Sequence, residues 1–498
     1  MLAVGLRRYG AIRALDRIAD IPDWAPRLLR AFTFYIPRRI KLPSADGERL
    51  ALALAGMGPA YIKLGQTLAT RPDLVGRPIA EGLTTLQDRL PPFSFKQAKE
   101  TVEAELGGDL QDHFSSFEEI AIAAASIAQV HRAVTAEGDK VAVKILRPGI
   151  ERRFTRDLEL FAWLAKFAEE HSAEARRLRL SQVVIKVRET VLREMDLRLE
   201  AAAAAELGDN MAGEAGYRLP HVEWDRTARR VLTLEWIDGT RLADKAALEA
   251  AGHDLPMLGE KVVQVFLTQA LRDGFFHADL HQGNLIVEPT GTLVAVDFGI
   301  MGRLNKLERR FLAEILFGFI RRDYQRVAEV HFDAGYIPKS ESLEEFAQAL
   351  RAIADPIMDL PIEEVSAGKL LAQLFATTER FKMETQPQLL LLQRTMVMAE
   401  GMALHLNPQA NMWQISEPVI EHWIRENLSP EVRLAEAINQ IPRMLERLPS
   451  LLDKWVESDF EPQPQQPPAV APQISAPKLW PFALGLIVGA AVLKILTV

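Results

Sequence analysis

The chain has 498 residues, 48% of them hydrophobic and 25% charged, which places it in the globular range with room for two to four domains. Its 59 Lys and Arg against 67 Asp and Glu give a net charge of −8, so there is no overall basic field for a nucleic-acid backbone and nucleic acid is not expected as a partner. With no cysteine, disulfides, thiolate nucleophiles and Cys-ligated metals are all excluded, and the chemistry falls to Lys, His, Asp, Glu, Asn and Gln.

The first 41 residues carry eight arginines and three acids, without the apolar core and cleavage site of a secretory signal. This basic segment reads either as a solvated amphipathic helix end or as a patch apposed to anionic lipid. Pro59 suits a first helical position, and the helix can run until Arg71 precedes Pro72, which puts Lys63 and Gln66 one turn apart on one face. Spacing alone also fits an ordinary amphipathic helix with exposed polar residues.

Residues 111 to 146 read as strand, turn and strand: the small-residue run Ala121 to His131, then Val141-Ala142-Val143 closing on Lys144. A hairpin that delivers a lysine from its second strand is how protein-kinase-like folds bring an ammonium to the α- and β-phosphates of ATP, although V-A-x-K also recurs by chance. Ser181 to Leu207 reads as one long helix with a stripe of Val184, Val187, Val191, Met195 and Leu199. Ideal-helix spacing puts Glu194 at the rim of that stripe and Glu200 on the far side. Both cannot meet Lys144, and periodicity slightly favours Glu194. Arg229 to Gly239 reads as a strand ending in a hinge near Glu235 to Ile237, whose backbone could pair with adenine.

The most specific pattern follows. His277-x-Asp279, Asn284 five residues on, and Asp297-Phe298-Gly299 thirteen residues later have the order and spacing of the catalytic loop and metal-binding triplet of kinase folds. One end of such a loop carries the Asp that orients or deprotonates a hydroxyl. Its other end carries an Asn able to ligate Mg2+, and a short hairpin returns a second metal carboxylate opposite it. Helical periodicity dominates the remainder: Phe311 to Arg321, Leu343 to Ala354, Gln388 to Leu404 and Val432 to Ile441. From Glu461 to Pro477 there are six prolines in seventeen residues, an extended tether. Leu479 to Leu493 is uncharged and, with the residues to Val498, is long enough for one membrane span. Gly485 and Gly489 form a GxxxG pair of the kind a homodimer of such helices would use.

On these residues the chain resembles the UbiB family of atypical protein-kinase-like proteins, which is associated with ubiquinone biosynthesis. Lys63-Leu64-Gly65-Gln66, with Thr70 to Leu74 and Leu86 to Phe93, is similar to the family's KxGQ region. Ala123, Ala124, Ala125 and Ser126 match its alanine-rich nucleotide loop, Glu194-Met195-Asp196 its ExD motif, and the segments around Asp279 and Asp297 its catalytic and metal segments. Leu280 and Gln282 depart from the prolines common in the family's loop, which puts the loop's rigidity in question.

The resemblance implies an α+β, bilobal protein-kinase-like fold. Residues 1–110 would form a helical N-terminal extension over the active site, 111–239 the small lobe, 240–455 a helical large lobe, 456–477 a Pro-rich linker and 478–498 a C-terminal transmembrane helix. It assigns Glu200 to Lys144, and sets Lys63 and Gln66 against the catalytic site or the acids Glu194 and Asp196, which become regulatory. Asp279 would be catalytic, Asn284 and Asp297 would hold Mg2+, and ATP would lie between the alanine loop, Lys144 and the Glu235–Ile237 hinge. The implied activity is that of a Mg2+-ATP-dependent ATPase or kinase at a bacterial-type inner membrane with its body in the cytoplasm. It would support ubiquinone biosynthesis by acting on quinone-precursor lipids or on the biosynthetic enzymes, with membrane lipids as partners. Alanines in place of a Gly-rich loop argue against phosphoryl transfer to proteins in trans. A nucleotide-binding pseudokinase scaffold and a small-molecule phosphotransferase are the alternatives.

Overall fold

Two glycines bring a pair of N-terminal helices together. Helix α1 (Asp46–Met57) crosses α3 (Arg77–Leu83) where Gly47 and Gly82 meet back to back, and a Cβ on Gly82 would stand 2.4 Å from the Gly47 backbone. Between them α2 (Pro59–Ala69) starts on a proline, whose missing N–H costs nothing in a first turn. Gly65 lets α2 close on its neighbours, since a Cβ there would lie 2.3 Å from a Leu86 methyl and 2.7 Å from a Leu54 methyl. The computed structural model describes residues 2–15, 33–37, 45–69, 75–83, 91–171, 179–358, 380–383 and 387–428, with a few isolated positions between them.

The next helix, α4 (Phe95–Leu106), is capped by the Ser94 hydroxyl, which accepts the Gln97 N–H, and ends at Gly107 with φ 77°. It covers one face of a five-stranded antiparallel sheet. The strands are β1 (Phe114–Phe117), β2 (Ala123–Ala124), β3 (Ala128–Thr135) and β4 (Lys140–Leu146), after which the chain makes α5 (Ile150–His171), α6 (Leu180–Glu194), α7 (Leu197–Asn210) and β5 (Tyr217–Arg218) and returns as β6 (Val231–Glu235) beside β4. Alternation along β4 sends Val141, Val143 and Ile145 to a core with Ala98 and Val102 of α4, and turns Lys144 to the opposite face.

The single helix expected over Ser181 to Leu207 is two. Asp196 is extended at φ −122° and caps α7 by accepting the Arg198 N–H at 3.2 Å, so the helix breaks between Glu194 and Leu197. The Asp196 cap breaks the helix although the apolar stripe runs through it. The break is why the ideal-helix placement of Glu194 and Glu200 fails.

The second part of the molecule is mainly helical. It holds β7 (Thr240–Arg241), α8 (Leu255–Thr268), β8 (Phe275–His277), β9 (Leu285–Val287), β10 (Leu293–Ala295), β11 (Met301–Arg303), α9 (Lys306–Ile320), α10 (Tyr324–Asp333), α11 (Leu343–Met358), α12 (Pro387–Leu406) and α13 (Met412–Leu428). Helix α9 begins five residues before the apolar run that announces it, because Asn305 and Glu308 form a reciprocal capping box. A π-helical turn, Gln269–Asp273, ends α8 and hands the chain through left-handed Gly274 into β8. Strand β10 pairs antiparallel with β9 and parallel with β5, while β8 pairs antiparallel with β11.

Residues 70–74, the helix read over Val432–Ile441, the Pro-rich linker, and the tail with Gly485 and Gly489 lie outside the described residues. Among the described residues no helix is long and apolar enough to cross a membrane.

Candidate active site

Lys144 is the centre of the cleft. Its ammonium reaches Glu200 Oε1 of α7 at 2.7 Å and Asp297 Oδ1 at 3.0 Å. Burial alone would lower the Lys144 pKa, but the charges of Asp297 and Glu200 outweigh it and hold the ammonium well above its usual range. Lys144 in turn holds the Asp297 carboxyl well below the usual carboxylate range. Glu200 responds oppositely: burial pushes its pKa up, against the pull of Lys144. The structure thus pairs Lys144 with Glu200, the partner implied by resemblance, and not with Glu194, the partner that unbroken periodicity slightly favours.

Glu194 stands on the other side of the α6–α7 break, where its carboxylate meets Lys63 of α2 at 2.9 Å with both side chains nearly buried. Asp196, the second acid of that motif, is taken by Arg198 through Nε at 2.9 Å and Nη2 at 2.7 Å, a bond that lowers its pKa. Gln66 lies half-buried on α2, one turn from Lys63. One acid on each side of a helix break therefore ties the N-terminal helix and the sheet lysine to the same elbow.

The catalytic loop is held without prolines. His281 N–H donates to Asp279 O at 3.0 Å, Asn284 N–H to His281 O at 2.8 Å, and Asn284 Nδ2 to Asp279 O at 3.1 Å. Leu280 is 1% exposed and anchors the turn where the resemblance called for a proline. Fully buried His277 accepts the Asp279 N–H on Nδ1 at 3.2 Å. Burial lowers the pKa of that imidazole. The Val296 N–H donates to Asn284 O at 2.9 Å, so Asn284 and Asp297 sit on facing ends of the β9–β10 hairpin. Asp297 has φ 68°, a left-handed conformation that Asp tolerates and most side chains do not.

The alanine segment is a closed hairpin. Ala123 and Ala124 pair with Val130 and Gln129, and the Ala125 N–H donates to Ala128 O at 2.7 Å. Ala125 O accepts two bonds from the Arg147 guanidinium at 3.1 and 2.9 Å. Ser126 is 1% exposed. The Ala125 N–H that a glycine-rich loop would present to phosphate is spent within the turn. At the hinge, the Glu235 N–H donates to His221 O at 2.8 Å, which removes that N–H from adenine pairing, and Ile237 is buried. Arg218 bridges Glu235 at 2.8 Å and Glu288 at 2.6 Å, fastening the sheet to the β9–β10 hairpin.

Donor chemistry at the cleft fits Mg2+. With Nδ2 of Asn284 committed to a backbone carbonyl, its Oδ1 is left as a ligand, and Asp297 supplies a carboxylate. Among the described residues no group of three or more His, Asp or Glu is placed to hold a metal ion.

Comparison with known proteins identifies the arrangement. A model of the ABC1 atypical kinase-like domain matches residues 85–331, and a model of the UbiB helical domain matches residues 350–411. A relative from Pseudomonas fluorescens named "Probable protein kinase UbiB" is 40% identical over 462 residues, covering 91% of this chain and 86% of its own length. The chain belongs to the UbiB family. A relative of the same name from Marinobacter nauticus is 41% identical over 409 residues, covering 81% of this chain and 75% of itself. A solved complex of Rv3197 with erythromycin from Mycobacterium tuberculosis shares the fold, with a TM-score of 0.54 and 25% identity over 74% of this chain and 93% of that one. The UbiB relatives are bacterial, and a kinase-like domain of this type implies ATP binding.

Two polar groups of this UbiB site are absent from the motif reading. Arg394 of α12, within the UbiB helical domain, donates through Nη2 to Asp279 Oδ1 at 2.9 Å. Buried Gln269, in the π turn, accepts the His277 N–H on Oε1 at 3.1 Å and donates to the Tyr217 hydroxyl at 3.2 Å, fixing the strand that leads into the loop. Neither belongs to a motif: Arg394 stands between Gln393 and Thr395 and Gln269 follows Thr268, and only the folded chain shows which of these polar groups meets the loop.

Proposed function

We propose that the chain is a Mg2+-ATP-dependent ATPase or small-molecule kinase that supports ubiquinone biosynthesis at the membrane, acting on quinone-precursor lipids or on the biosynthetic enzymes. The observation that carries this reading is the convergence of Glu200 and Asp297 on Lys144, opposite the Asp279–Asn284 loop. Bound Mg2+-ATP supplies the electrophilic γ-phosphorus and the neutralising charge. Lys144, oriented by Glu200, would hold the α- and β-phosphate oxygens, and Asn284 Oδ1 and Asp297 would hold the ion. The Asp279 carboxylate takes the acceptor's proton as the acceptor oxygen bonds to phosphorus and the bond to ADP breaks. A hairpin that spends the Ala125 N–H and a helix bolted by Lys63 to Glu194 support small or lipid acceptors over a protein acceptor in trans. We further assign the tail at 478–498 as an inner-membrane anchor with the body in the cytoplasm.

The test is ATP hydrolysis by the purified full chain, with and without anionic vesicles and phenolic polyprenyl analogues, beside the quinone content of a deletion strain. Turnover raised by vesicles or analogues, with quinone lost on deletion, is the expected outcome. Nucleotide binding with no turnover under any of these conditions would favour the scaffold reading.

A further inference from the structure

We propose that Arg394, delivered from the UbiB helical domain, is a positioning residue for phosphoryl transfer: it fixes the Asp279 carboxylate through Oδ1 and leaves Oδ2 to the acceptor's proton. The proposal rests on Asp279 being the acceptor base, as argued above.

The backbone of Asp279 is fixed on both sides, its N–H by His277 Nδ1 at 3.2 Å and its carbonyl by Asn284 Nδ2 at 3.1 Å. These bonds set where the residue is but not which way its carboxylate faces. That rotation is set by Arg394, whose Nη2 lies 2.9 Å from Oδ1. Helix α12 is a rigid support for the guanidinium: Leu392 and Met396 on either side of Arg394 are 5% exposed, and the helix packs on α8 and reaches β11 beside the catalytic loop. His281, two residues after Asp279, accepts the Gly283 N–H on Nδ1 and is engaged within its own loop.

Magnitudes favour a role in orientation over one in stability. The Arg394 side chain is 48% exposed and the Asp279 side chain 25%, and ion pairs this open to water contribute little to folding. Orientation of a base is worth far more to rate, because a displacement of about 1 Å costs on the order of 100-fold. A planar guanidinium with fixed N–H directions suits that task better than a flexible ammonium.

The experiment measures Mg2+-ATP turnover by full-length wild type, Arg394→Ala, Arg394→Lys, Asp279→Asn and the Asp279→Asn/Arg394→Ala double variant. Arg394→Ala is expected to lower kcat by roughly 100-fold with KM for ATP within about twofold. Added guanidinium should restore part of that loss, which a merely structural role would not permit. The double variant should be no slower than Asp279→Asn, because Arg394 acts through Asp279. Arg394→Ala turning over as fast as wild type, or faster, would overturn the proposal, as would losses that multiply in the double variant. Asp279→Asn at the wild-type rate would instead defeat the reading of Asp279 as base, and this proposal with it. A slow Asp279→Asn beside an unimpaired Arg394→Ala would defeat the proposal alone.

Discussion

Replacing Asp297 with Asn is expected to abolish the stabilisation of the protein by Mg2+-ATP and to reduce turnover at least about 10³-fold, the scale of losing charge neutralisation on a transferring phosphoryl group. Asparagine tolerates the left-handed backbone at φ 68°, so the turn survives and the substitution removes charge alone. Lys144 keeps Glu200 at 2.7 Å, so the lysine stays in place. At a ligand concentration about 100 times Kd the wild type should gain about 2.7 kcal/mol, seen as a rise in Tm that the variant lacks. A variant stabilised by Mg2+-ATP as strongly as wild type would remove Asp297 from the metal site. The wild-type contribution of Asp297 itself has a defined sign. Its folded pKa is depressed, so the stability it supplies is present above the unfolded carboxylate range and lost only as pH falls through the lower folded value.

Lys144→Met should be the most destabilising single change at the cleft, and its cost should grow with pH. The substitution leaves Glu200 buried beside Asp297 with no cation, and breaking a buried pair by removing one partner costs about 3–5 kcal/mol when the remaining charge persists. Burial already raises the Glu200 pKa, and loss of Lys144 removes the main influence opposing that rise. A raised folded pKa gives stability that is complete below the unfolded value and lost as pH climbs through the folded one. Urea denaturation should therefore show a small deficit at pH 5 and a larger one at pH 8. Adding Glu200→Gln should remove the pH-dependent part. A deficit that is the same at both pH values, or untouched by Glu200→Gln, would contradict the buried pairing.

Much of this site is legible in the sequence because kinase-type chemistry is carried by short local spacings. Asp279, Asn284 and Asp297 lie within one loop and the hairpin after it, and the alternation of β4 fixes the face of Lys144 without knowledge of the rest. What was not legible depends on breaks and on distance along the chain. The Asp196 cap splits a helix whose apolar stripe runs straight through it, and this decides which glutamate faces Lys144. Arg394 meets Asp279 from 115 residues away, on a helix whose pattern says only that it is buried. Arg147 is the same kind of case, closing the alanine hairpin from the end of β4. Neither arginine belongs to a motif, and only the folded chain shows which group each one meets.

The central claim is that one cleft, formed by Lys144, Glu200, Asp297, Asn284 and Asp279, binds ATP through a shared magnesium ion. Calorimetric titration of the purified full chain with ATP, first with Mg2+ and then with the metal chelated, tests it most directly. The account predicts a single site per chain whose binding is lost on chelation. No binding in the presence of Mg2+, or binding unaffected by the chelator, would contradict it.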